Sequence, residues 1–247
     1  MNIYKNKYGK IYNGDCLKIM DCLIEQNLKI DCCITDLPFG TTKCKWDQII
    51  PFDEMWDRLD KLVKPNGAIC LFGTEPFSSL LRCSNLKDYR YEIIWEKSRV
   101  TNFMFVKKQI GKCHENISVF YKKQPTYNPQ MQKGKPYKDN REGDIRKESI
   151  MNRNTIKKNI NNDGVRYPRS VIKIPFHNGG LLHPTQKPTE LLEFLIKSFT
   201  NEGELVLDFT AGSCSLAEAC INSNRRFVCI EKDENYYSIG VERIRNI

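Results

Sequence analysis

Three carboxylates stand where predicted strands run out: Asp36 after Ile30 to Thr35, Asp208 after Val206-Leu207, and Glu231 after Phe227 to Ile230. In an open α/β sheet the carboxyl ends of the strands are where ligands bind. After Asp36 comes Leu37-Pro38-Phe39-Gly40. Pro38 fixes a turn. Asp36 and the Leu37 carbonyl can both accept hydrogen bonds from an amino group, and Phe39 offers a face on which a planar base can stack. Taken alone, the simpler reading of this segment is a strand-ending turn with a core phenylalanine. Asp208 opens Asp208-Phe209-Thr210-Ala211-Gly212-Ser213, in which Gly212 lets the backbone approach a ligand closely. About twenty residues further on, Glu231 ends the next strand with a carboxylate suited to ribose hydroxyls. Many nucleotide-binding domains share this pair, and a tight βα turn with exposed acids would give the same pattern. In His183-Pro184-Thr185-Gln186-Lys187-Pro188, Thr185 and Lys187 can reach an anionic group. Pro188 suits a first helical turn, and His183 reads as a loop histidine without acid–base work.

The elements that must position these residues alternate. Gly14-Asp15 opens a helix with Leu17, Met20, Leu23 and Ile24 on one face. Phe52 to Val63 is amphipathic and ends at the turn residues Lys64-Pro65-Asn66-Gly67. Ala68 to Phe72 reads as a buried strand, Pro76 to Arg82 as a helix, and Tyr91 to Trp95 and Ile117 to Tyr121 as strands. Thr189 to Phe199, Ser215 to Asn222 and Asn235 to Ile244 carry helical patterns. Strands alternating with helices imply an α/β sandwich with a mostly parallel sheet and helices on both faces.

Charge is concentrated. The chain has a net charge of +9, and residues 122–173 hold 14 Lys and Arg against 5 Asp and Glu, so the remainder is neutral in sum. A basic block set in a neutral body is the footprint of a polyanion site, though a solvated loop in a Lys- and Asn-rich chain looks the same. Tyr127, Tyr137 and Tyr167 are interleaved with the cations, which suits contacts to bases and phosphates. The block is expected to be an insertion with little regular structure. The 11 cysteines show no zinc spacing and no C-x-x-C pair, and read as reduced core residues; no metal is expected. No segment reaches the apolar length of a membrane span. The N-terminus lacks an apolar signal core, so a cytoplasmic protein, of a prokaryote or a phage-infected host, is expected.

Asp-Leu-Pro-Phe-Gly resembles the D-P-P-Y catalytic motif of amino-methylating DNA methyltransferases. Asp208 to Ser213 resembles their cofactor motif D-x-F-x-G-S-G, and His-Pro-Thr-Gln-Lys-Pro resembles a signature of the β-type arrangement. In that arrangement the catalytic motif comes first, then target recognition, then the cofactor motif. The resemblance spans nearly the whole chain. It implies a Rossmann-like methyltransferase fold, circularly permuted in motif order. Residues 1–121 would form the catalytic half, 122–173 an inserted target-recognition region and 174–247 the cofactor-binding half. It also implies S-adenosylmethionine as cofactor, double-stranded DNA as partner, and a homodimer, since relatives are often dimers.

Roles follow from the same resemblance. Asp208, Phe209, Gly212 and Ser213 would line the methionine part of the cofactor, Glu231 would bind its ribose, and Thr210 and Lys232 would also contact the cofactor. Asp15 and Cys16 would lie by its adenine, and Thr185, Lys187 and Pro188 would close over its amino-acid end. Asp36, Leu37, Pro38 and Phe39 would hold the target base, with Asp36 also touching the cofactor. His114 to Ile117 matches a segment near that base. Lys43, Lys45, Lys133, Lys135, Tyr137, Arg166 and Arg169 are the expected DNA contacts. Three residues depart from the family pattern. Leu37 replaces a proline and is expected to loosen the turn. Phe39 replaces tyrosine and keeps stacking without the hydroxyl. Cys214 replaces a glycine, and its β-carbon is expected to crowd the cofactor. The implied activity is methylation of the N6 amino group of adenine. Alternatives are N4-cytosine methylation, a glutamine or RNA methyltransferase, and a DNA-binding relative with weakened catalysis.

Overall fold

The computed structural model describes residues 2–41, 47–139, 160–175 and 186–247. Lys43, Lys45, His183 and Thr185 lie outside them. The chain divides into two compact units, one of residues 1–128 with 170–247 and one of residues 129–169.

The larger unit is built on a nine-stranded sheet. Its strands are β1 (Ile3–Lys5), β2 (Gly9–Asn13), β3 (Ile30–Asp36), β4 (Val63–Gly73), β5 (Tyr89–Glu96), β6 (His114–Phe120), β11 (Val171–Lys173), β12 (Leu205–Asp208) and β13 (Arg226–Glu231). The smaller unit contributes β7 (Gln132–Lys133), β8 (Tyr137–Asp139), β9 (Ile160–Asn162) and β10 (Val165–Arg166). The helices are α1 (Cys16–Glu25), α2 (Phe52–Leu62), α3 (Phe77–Ser84), α4 (Thr189–Phe199), α5 (Ser215–Asn222) and α6 (Glu234–Arg245).

The sheet order is β1-β2-β13-β12-β3-β4-β6-β5-β11. Pairing is parallel from β2 through β4, and β6 runs antiparallel to both β4 and β5. The central strands are apolar along their length because both faces are covered. On one face Cys32, Ile34, Val206, Phe227 and Cys229 pack with residues of α4, α5 and α6. On the other, Ile30, Cys33, Leu207, Val228 and Ile230 pack with residues of α1, α2 and α3.

This topology sets the site. From β12 the chain passes through α5 to β13 on one side, and from β3 through α2 to β4 on the other. The crevice beyond the ends of β12 and β3 is a topological switch point, the place where such sheets bind ligands. Asp208 and Asp36 end those two strands.

One expectation about the strands is corrected. Lys64 to Gly67 does not stop the chain as a plain turn. It lies within β4 as an irregularity, where Ile30 pairs with Val63 but Cys32 pairs with Ala68. The smaller compact unit, residues 129–169, falls inside the stretch 122–173. Asn128 bonds to α4 through Ser198 and Thr200 carbonyls, and β11 pairs with β5, so both flanks belong to the sheet unit. The described residues of the smaller unit hold only four strands of two or three residues, β7 paired with β10 and β8 with β9, both antiparallel, which does not conflict with little regular structure. The free cysteines include Cys32, Cys33, Cys70, Cys214, Cys220 and Cys229, all buried. No group of metal-ligating side chains occurs among the described residues. No described helix is long and apolar enough to cross a membrane.

Candidate active site

A cavity of about 700 Å³ opens at the switch point. Its wall brings together most of the expected site residues: Asp15 and Cys16, Asp36 to Phe39, Lys187, Asp208 to Thr210, Gly212 and Ser213, and Glu231 with Lys232. Pro188 is not among them; it stands just before α4 as the capping residue, with no side-chain hydrogen bond.

The β12 and β13 ends are tied by short bonds. Thr210 N and the Thr35 hydroxyl both donate to Asp208 Oδ1, at 3.1 and 3.2 Å. Gly212 N donates to Glu231 Oε2 and Asp233 N to Glu231 Oε1, each at 2.7 Å. Gly212 has φ +53°, so the turn runs through left-handed backbone. The Asp15 side chain caps α1, accepting from Leu17 N and Lys18 N.

Burial drives the Asp208 carboxyl up to about 7, against hydrogen bonds from Thr210 and Thr35 that favour its ionised form. The folded chain therefore holds this proton more tightly than the unfolded chain, whose carboxyl titrates near 3.8. The resulting penalty is absent below about pH 4, grows as pH rises, and is complete above about pH 7. Asp208→Asn is expected to be the more stable protein at pH 8, by at most about 4 kcal/mol. The advantage vanishes near pH 4, as denaturant titrations of both proteins at the two pH values will test.

Cys214 sits at φ +57° at the start of α5 and is fully buried. Its side chain does not crowd the cavity. It turns into the core against α6, where a β-carbon on Gly240 would lie 2.5 Å from Cys214 Sγ. Gly240 supplies the room for the cysteine. Gly240→Ala is expected to cost about 1–3 kcal/mol by overpacking. Adding Cys214→Gly should recover most of that loss, and additive effects in a double-mutant cycle would contradict this pairing.

The Asp36 turn is firm as well. Leu37 is 3% exposed and packs with the α1–α3 face. Thr210 Oγ1 donates to the Asp36 carbonyl at 2.8 Å. Phe39 lines the cavity and packs against Phe77 at 5.1 Å between ring centroids.

Lys187 occupies an unexpected place. Its ammonium, 7% exposed, lies 2.6 Å from Asp36 Oδ2 and 3.3 Å from Glu115 Oε2, and Lys97 also pairs with Glu115. Four alternating charges thus run Lys97, Glu115, Lys187, Asp36. Burial pushes the Asp36 carboxyl above its ordinary range; Lys187 pulls it back and Glu115 adds to the rise. Burial also acts to raise Glu115, but Lys187 and Lys97 outweigh it and hold that carboxyl low. For Lys187, burial acts to lower the pKa, and the two carboxylates more than reverse it. Asp36 Oδ1 is left screened from water with no hydrogen-bond partner.

Glu115 was legible only as part of a family segment, and Lys97 not at all. In the smaller unit, Lys133, Lys135, Tyr137 and Arg166 come together. The Arg166 guanidinium lies 4.6 Å from the Tyr137 ring centre and donates to the Lys135 carbonyl, and Arg166 pairs in register with Gln132 beside Lys133. Arg169 is exposed at the end of that unit.

A family model described as DNA methylase, N6_N4_Mtase, matches residues 30–242. A stretch of 62 residues, 25% of this chain, is 42% identical to the DNA adenine methyltransferase YhdJ of Escherichia coli (strain K12) and spans 21% of that protein's length. Two solved structures share the fold. M1.HpyAVI, in a SAM complex, superposes with a TM-score of 0.65 at 24% identity over 96% of this chain and 98% of that one. The cytosine-N4-specific PvuII DNA methyltransferase gives a TM-score of 0.69 at 15% identity over 98% of this chain and 92% of that one.

Proposed function

Because this chain belongs to the N6/N4 DNA methylase family, we propose that it transfers a methyl group from S-adenosylmethionine to the N6 amino group of adenine in duplex DNA. The observation that carries the reading is Asp36 on the cavity wall, its Oδ2 held by Lys187 and its Oδ1 left without a hydrogen-bond partner. An acceptor left empty inside a protein costs about 1–3 kcal/mol. An amino group has the two N–H donors that Asp36 Oδ1 and the neighbouring Leu37 carbonyl would receive.

The wall opposite suits the cofactor. Glu231 spends one hydrogen bond per oxygen on Gly212 and Asp233 and keeps lone pairs for ribose hydroxyls. Gly212 permits close backbone approach. When bound, S-adenosylmethionine supplies an electrophilic methyl group on a sulfonium.

The chain's own work is positioning and electrostatics. Phe39 gives the base a face to stack on. Asp36 and the Leu37 carbonyl accept the two amino hydrogens, which turns the nitrogen lone pair away from the ring. Asp36, its pKa raised by burial, is also placed to take up at Oδ1 the proton that the methylated nitrogen releases. Lys187 holds the other oxygen, Oδ2, at 2.6 Å and so fixes the carboxylate plane. This reassigns Lys187 from the cofactor's amino-acid end to the orientation of Asp36. Glu115 and Lys97 hold Lys187 in turn.

Adenine is favoured by Asp36 at the head of the motif and by the relative named a DNA adenine methyltransferase. The second reading, N4-cytosine, uses the same two acceptors and is favoured by the PvuII fold neighbour. The cation–aromatic cluster of the smaller unit suits phosphate and base contacts. The purified protein is expected to move labelled methyl from the cofactor into duplex DNA. Label appearing only in RNA or protein would overturn the reading.

A further inference from the structure

Between β5 and β6 the chain leaves the sheet in a loop of which the catalytic reading uses only Lys97. Phe103, Met104, Phe105 and Ile110 are 71%, 79%, 55% and 95% exposed there. The loop is nevertheless well braced. Lys97 N donates to the Cys113 carbonyl at 2.6 Å at its root, and Thr101 N to the Lys112 carbonyl at 2.8 Å above it. The Asn102 side chain then spans the loop, accepting from Lys112 N at 2.6 Å and donating to the Ile110 carbonyl at 3.3 Å. Gln109 N donates to the Phe105 carbonyl at 3.0 Å. A hydrogen-bonded frame is thus spent on presenting four large apolar side chains to water, and contiguous apolar exposure of this kind marks an interaction site.

The charges of the loop select the occupant. Between Glu96 and Glu115 there is no acidic residue; Lys97 is taken up by Glu115, while Arg99, Lys107, Lys108 and Lys112 are cationic. A second copy docking through this patch about a two-fold axis would set these cations against their own equivalents, which is repulsive. A polyanion is attracted instead. The loop also springs from the rim of the catalytic cavity, since Arg99 and Thr101 line it with Asp36. Turning a base out of a duplex leaves a gap in the stack, and apolar side chains wedged between base steps are what fills such gaps.

We infer that the loop from Arg99 to Lys112 is a DNA wedge. Its lysines would take the phosphates beside the target, while Phe103, Met104, Phe105 and Ile110 would enter the space that the flipped base vacates. The inference rests on the DNA methyltransferase reading above.

The test uses the full chain and an oligonucleotide duplex carrying a site mapped in methylated DNA. The quadruple alanine variant of Phe103, Met104, Phe105 and Ile110 is compared with wild type. On the fully paired duplex the variant is expected to lose about 10²-fold in kcat/KM, the scale of a few kcal/mol of unstacking. On a duplex with an abasic position opposite the target, where opening costs little, it is expected to stay within about threefold of wild type. Cofactor affinity should be unchanged. Equal losses on both duplexes, or no loss on either, would overturn the wedge. So would wild-type dimers that the variant dissociates, or wild-type binding to phosphatidylserine vesicles that the variant lacks. If wild type transfers no methyl to any DNA, the underlying reading fails as well; the other outcomes leave that reading standing.

Discussion

Replacing Asp36 with alanine is expected to reduce methyl transfer by about 10³-fold or more, while cofactor affinity stays within about threefold. The residue lines the cavity, is partnered by Lys187 through Oδ2 and leaves Oδ1 without a hydrogen-bond partner. Its deletion removes the acceptor for the amino group and the site that receives the proton. The cofactor's expected contacts at Gly212 and Glu231 stay in place, because Glu231 is held by backbone N–H groups and not by Asp36. Single-turnover transfer measured beside calorimetric cofactor binding separates the two effects. Retained turnover in the alanine variant would refute the role given to Asp36.

The second large effect is expected from Lys187→Met. If Lys187 orients Asp36, kcat falls by about 10²–10³-fold with cofactor affinity nearly unchanged. The family resemblance instead places Lys187 over the cofactor's amino-acid end, and then cofactor binding weakens while kcat is spared. A pH profile adds an independent readout. Asp36 is faced by Lys187, Glu115 and Lys97, with Asp208 on the neighbouring strand. Removing the cation leaves burial and Glu115 to raise Asp36 further. As transfer needs the carboxylate, the acid limb of the kcat/KM profile should move to higher pH, not lower. Loss of Lys187 also leaves the Asp36 carboxylate without its cation beside Glu115, which keeps Lys97, at a cost of about 3–5 kcal/mol. Lys187→Met with Glu115→Gln relieves that repulsion and serves as the folding control. An acid limb that stays in place in both variants would contradict the positioning role.

Much of the sheet's centre was legible in the sequence, because β3, β12, β13 and the Ala68 to Phe72 part of β4 are covered on both faces and read as apolar runs, the first three ending in acids. Helix α5 was legible to its end residues for the related reason that its apolar face is regular. The edges were not. Strands β1, β2 and β11 are short or carry charges, so nothing in their pattern separates them from loop. Lys64 to Gly67 has turn chemistry and lies inside a strand because the adjoining β3 tolerates an irregularity there.

At the site, the backbone turns were legible and the partners were not. Lys187 and Asp36 are 151 residues apart, and only the topology brings them to one bond. The direction of Cys214 is set by the space left by Gly240 on another helix, which a local motif does not encode. The loop at Phe103 was hidden by counting charge over long stretches. Its cations are balanced elsewhere in the chain, so a neutral sum concealed a local excess.

Methyl transfer to an exocyclic amino group of adenine in DNA is read most directly from its product. Duplex DNA incubated with the protein and S-adenosylmethionine can be digested to nucleosides and analysed by mass. The expected product is N6-methyldeoxyadenosine, absent when Asp36→Ala replaces wild type. N4-methylcytosine would correct the base while keeping the chemistry, and unmodified DNA under conditions where the cofactor binds would contradict the account.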